Sequence, residues 1–168
     1  MDEPAPSAIP RLPCPGRLHY PSGMGFMWAD TLLAAERAHV LRLLVWGGGS
    51  ALAGTALLAW MYMGRRRSAL LEHFGIQTAA WGAVVLALGA IARASLAPRD
   101  LAGATRLDRL LWLNVGLDVG YALVGTTLVL VGWRLGRRFG LIGAGMAVVL
   151  QGVALALLDL VLAGQISR

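Results

Sequence analysis

Four apolar stretches of bilayer-crossing length, roughly 43–63, 74–91, 110–133 and 141–162, leave this chain few folds to choose from. In hydrocarbon every backbone N–H and C=O must be satisfied internally, so each stretch predicts a helix. The expected class is all-α, an integral membrane four-helix bundle. With 57% hydrophobic and 14% charged residues in 168, the chain is too apolar for an ordinary soluble domain and too short for more than one bundle. Its net charge of +6 comes from arginine alone and sits beside the apolar runs. That placement marks membrane topology, and it argues against nucleic-acid binding, which wants a continuous basic face.

The third stretch carries Asn114, Asp118 and Tyr121 at i, i+4 and i+7, one face of a helix. A carboxylate inside a span is costly enough to point into protein, where a partner satisfies it. Asp118 lies eight residues past Leu110, about 12 Å along the axis, in the outer half of its span, and Asp159 near the end of the fourth span is also outer. Arg42 and Arg93 end the first and second spans on that side. The expectation is therefore a polar network of Asn114, Asp118, Tyr121, Arg42, Arg93 and Asp159, with Asp118 paired to Arg42 or Arg93. His73, Gln77 and Trp81 form a second polar face on the second span. Gln151 shares a face with Asp159.

Before the first span, residues 1–25 hold six of the seven prolines and predict an extended tail. Phe26 to Arg42 sets Trp28, Leu32, Ala35 and His39 on one side and Asp30, Glu36 and Arg37 on another, which predicts an amphipathic interfacial helix running without a breaker into the first span. Residues 26–168 then form a single four-span domain. The connection from Arg93 to Arg109 has room for a short surface helix. Small residues predict close helix packing at Gly49, Gly54, Gly116, Gly120, Gly132, Gly136 and Gly140. The arginine clusters at 65–67 and 134–138 predict cytoplasmic turns, hence both termini on the outer, periplasmic side of a bacterial inner membrane. Trp60 with Gly64, Arg65 and Arg66 echoes Trp133 with Gly136, Arg137 and Arg138, but the flanking residues do not match and no duplication follows.

No chemistry of an enzyme emerges. Ser50 and Thr55 lack a base at helical spacing, and Cys14 alone supports neither a disulfide nor a thiolate metal site. His39 and His73 belong to opposite ends of the bundle, so they cannot share one haem or metal. A pigment or haem contact through one of them is compatible with the residues and unsupported by any motif, and no cofactor is expected.

The segments 73–82 (HFGIQTAAWG) and 112–121 (WLNVGLDVGY) resemble the paired signatures of a family of small bacterial four-helix membrane proteins of unknown function. The resemblance covers the second and third spans best and implies the same bundle, with His73, Gln77, Trp81, Asn114, Asp118 and Tyr121 as signature positions. It implies no activity. The leading expectation is a non-catalytic accessory subunit of a larger membrane complex, respiratory or photosynthetic, contacting lipids and neighbouring subunits. The rival is a small oligomeric transporter or proton-coupled carrier using Asp118.

Overall fold

A computed structural model describes residues 22–166, with side chains from Trp28 onward. Among the described residues the chain is all-α: α1 (Ser22–Met63), α2 (Ala69–Ala94), α3 (Leu101–Arg134) and α4 (Phe139–Ile166). All four are long and apolar enough to cross a membrane. The chain is a multi-pass membrane protein. Its surface is apolar, with Val45, Leu52, Leu88, Leu123 and Leu130 all more than half exposed, whereas Glu36, His39, Ser50, Thr78, Asp118, Gln151 and Asp159 are buried. Exposed hydroxyls bond back into their own helix, Thr55 donating to the Ala51 carbonyl at 2.7 Å and Thr126 to Ala122 at 2.8 Å.

The helices form two antiparallel hairpins, α1–α2 and α3–α4, and α4 also packs on α2 and α1. The α3 backbone approaches neither α1 nor α2 closely. Glycine sets the spacing within the hairpins. A Cβ on Gly82 would collide with the Ala51 backbone, and Gly125 and Gly145 each present their carbonyl to the other at 2.6–2.7 Å from where a Cβ would sit. Both arginine turns lie at one end, and in each a guanidinium covers a tryptophan: Arg66 over Trp60 at 4.6 Å and Arg137 over Trp133 at 5.3 Å.

Several boundaries differ from those expected. Residues 1–21 of the proline-rich tail lie outside the described residues, and Ser22–Gly25 already belong to α1. Phe26 to Arg42 runs into the first span within one continuous 42-residue helix, α1. Its inner face carries Leu32, Leu33, Glu36, His39 and Val40, so Glu36 is buried rather than solvated. The Arg99 Nε donates to Glu36 Oε1 at 2.7 Å. That bond holds the Arg99 guanidinium more firmly protonated than an ordinary arginine. The connection between the second and third spans holds no separate surface helix. Asp100 caps α3 by accepting from the Gly103 N–H at 2.8 Å, so the helix starts at Leu101 and takes in the polar residues up to Arg109.

Candidate functional site

Because the α3 backbone comes close only to that of α4, a gap remains between α2 and α3, bridged by an aromatic pair. The Trp81 and Tyr121 rings meet edge to face, centroids 5.1 Å apart at 68°. This pair lines two cavities. Toward the arginine turns lies one of about 210 Å³, bounded by Gln77, Val124, Gln151 and Gly152. Toward the opposite end lies one of about 530 Å³, into which His39, Asn114, Asp118 and Asp159 project among Val84, Leu88 and Leu117. The helix pattern explains the convergence. Asp118 and Gly125 are seven residues apart on the α3 face that meets α4, where the Asp118 carbonyl lies against Gly152.

In the larger cavity His39 Nε2 faces Asp159 Oδ1 at 3.2 Å. His39 Nδ1 is buried without a partner. Asp118 is 7% exposed and makes no side-chain hydrogen bond or ion pair among the described residues. The expected pairing of Asp118 with Arg42 or Arg93 is not found. Arg93 is exposed in the last turn of α2. Arg42, three residues past His39 and so turned about 60° around the helix, faces a different groove. Asn114, Asp118, Tyr121 and Asp159 are brought together, with His39 in the place assigned to an arginine. Among the described residues no three His, Cys, Asp or Glu side chains cluster closely enough to hold a metal ion.

The second polar face divides. Gln77 and Trp81 line the smaller cavity, whereas His73 is exposed, donates from Nδ1 to the Ala69 carbonyl at 2.9 Å and lies against Gly140. Of the glycines expected at packing surfaces, Gly54, Gly132 and Gly140 meet neighbouring groups. Gly49, Gly116 and Gly120 face open space, and Gly136 has φ +77° in a turn with nothing near it. Rotation explains Gly116 and Gly120: each is two residues, about 200°, from Asp118, so the inward carboxylate turns them outward.

A further network, on α4 two turns from Asp159, joins α1 to α4. Trp46 Nε1 donates to Gln151 Oε1 at 2.8 Å, and Gln151 Nε2 donates to Ser50 Oγ at 3.1 Å. Gln151 is 1% exposed. Its sequence signal was the face it shares with Asp159, and depth matching alone would have offered His39 to Asp159.

The model of a family of unknown function (DUF6992) matches residues 42–160. The chain belongs to this family. The match takes in Asp118, Asp159, Gln151 and the Trp81–Tyr121 pair, and it starts after His39 and Glu36. No curated protein and no solved structure matches the chain.

Proposed function

We propose that the protein is a small proton-coupled carrier working through the cavity between α2 and α3, with Asp118 as the group that takes up and releases the proton. One observation carries this reading: Asp118 faces that cavity without a protein partner, beside the His39–Asp159 pair. An ionisable side chain in a span marks a solute or proton pathway when no neighbour neutralises it. The stacked cavities on either side of Trp81 and Tyr121 support the reading, since a carrier needs a site reachable from each side of a barrier. Reading the two arginine turns as cytoplasmic sets the Asp118 cavity in the outer half of a bacterial inner membrane, with both termini outside.

The test is proton flux into liposomes carrying the purified protein and an entrapped pH dye, driven by an imposed potential. Flux above that of empty liposomes, lowered at least tenfold by Asp118→Asn, is expected. Equal flux in wild type and variant would remove Asp118 from the mechanism. A second reading, a non-catalytic accessory subunit, is favoured by the open α3 face at Gly116 and Gly120, where a neighbouring helix could approach closely. Recovery of a stoichiometric partner in a native pull-down, with no flux from the protein alone, would favour it.

A further inference from the structure

The groove on the far side of α1 has the dimensions and charge of a lipid site. It runs between α1 and α4 over Phe74 and Thr78 of α2, encloses about 640 Å³ and is bordered by Arg42, Val45, Gly49, Ala53 and Leu150. Its walls are apolar, and Val45 (67%) and Leu150 (45%) are exposed, so it opens sideways. One charged group stands at its end. The Arg42 Nη1 is buried yet has no hydrogen-bond partner, and no carboxylate pairs with this guanidinium among the described residues.

Depth fixes what Arg42 can meet. Twenty-three residues of continuous helix and turn separate it from Arg65, about 35 Å at 1.5 Å per residue, against a hydrocarbon core of about 30 Å. With the arginine turn at one headgroup layer, Arg42 lies at the other. From Arg42 to Ala53 the groove descends about 16 Å, the depth of one leaflet. A phosphate oxygen is the acceptor that a guanidinium at this level is shaped to take.

We propose that this groove binds one anionic phospholipid, its phosphodiester on Arg42 and an acyl chain along Val45, Gly49 and Ala53. The occupant is neither a free anion nor a zwitterionic lipid: the wall below Arg42 recognises hydrocarbon, and the uncompensated guanidinium selects net negative charge. The site is separate from the Asp118 cavity and stands or falls without it.

Native mass spectrometry of the detergent-solubilised full chain, titrated with phosphatidylglycerol and phosphatidylcholine of identical acyl chains, tests this. Retention of phosphatidylglycerol at least tenfold above phosphatidylcholine is expected. Arg42→Gln should abolish that preference, while Arg93→Gln, an exposed arginine at the same end, should keep it. Gly49→Leu should lower retention of both lipids, because a Cβ at Gly49 meets nothing within 4 Å and the added side chain enters empty space. It does so without touching Arg42, and it decides the matter if Arg42→Gln misfolds. Equal retention of the two lipids, an unchanged preference in Arg42→Gln, unchanged retention in Gly49→Leu, or glycerol phosphate retained as well as phosphatidylglycerol would each overturn the proposal.

Discussion

Gln151 and Asp159 occupy one face of α4, two turns apart, and meet opposite fates. Gln151 is closed in by Trp46 and Ser50, its carbonyl and amide both engaged, and is the most buried large side chain among the described residues. Asp159 meets His39 at 3.2 Å on the edge of a cavity, across which Asp118 has no protein partner. A saturated polar group in a span fixes which helix faces meet, because any slip leaves donors unmet in a medium that cannot satisfy them. A polar group left open to a cavity contributes little to register and remains free to bind. The contrast between them separates what holds the bundle from what the bundle holds.

The contrast can be broken most severely by Gln151→Glu. It puts an uncompensated carboxylate in the closed network and should cost about 3–5 kcal/mol, read as a lower unfolding midpoint in detergent. Gln151→Leu should cost about 1–3 kcal/mol by stranding the Trp46 N–H and the Ser50 hydroxyl. Adding Trp46→Phe and Ser50→Ala should recover most of that loss, since removing all partners together leaves nothing unmet. Asp159→Asn, which only weakens the contact with His39, should cost about 1 kcal/mol. Asp118→Asn removes an unpartnered carboxylate from a span and should leave the unfolding midpoint equal or higher while lowering the proton flux at least tenfold. A loss as large as that of Gln151→Leu would place Asp118 with the closed network instead.

The four helices were legible because bilayer length and hydropathy are read directly from the chain, and so was the meeting of Asn114, Asp118, Tyr121 and Asp159, because depth is residue count times rise. Azimuth was not. Depth put Arg42 and His39 within one turn of each other and could not say which of them faces Asp159. The rotation was recoverable in one place: Asp118 pointing inward and Gly116 or Gly120 packing within the same protomer were incompatible, being about 200° apart on α3. The glycines that do pack α3 on α4, such as Gly125, are those in phase with Asp118. Glu36 misled because a charge at a helix end is usually solvated, and its partner, Arg99, is 63 residues away across a connection whose path is not a matter of local pattern.

The 42-residue α1 is a single rod held at several points along its length. At about 63 Å it is twice as long as the hydrocarbon core is thick, and its upper limb is strapped to the α2–α3 connection through Glu36 and Arg99. Gly47, Gly48 and Gly49 lie within it without breaking it, each about 0.5–1 kcal/mol less helix-favouring than alanine, and Gly47 seats the helix on the Gly82 carbonyl and the Leu86 backbone of α2. The lower limb is pinned to α2 at Gly54. The glycines lie directly beside Ser50, where Gln151 grips. Tied to α2 at Gly47, to α4 at Ser50 and to the α2–α3 connection at Glu36, the segment between them holds His39 against Asp159.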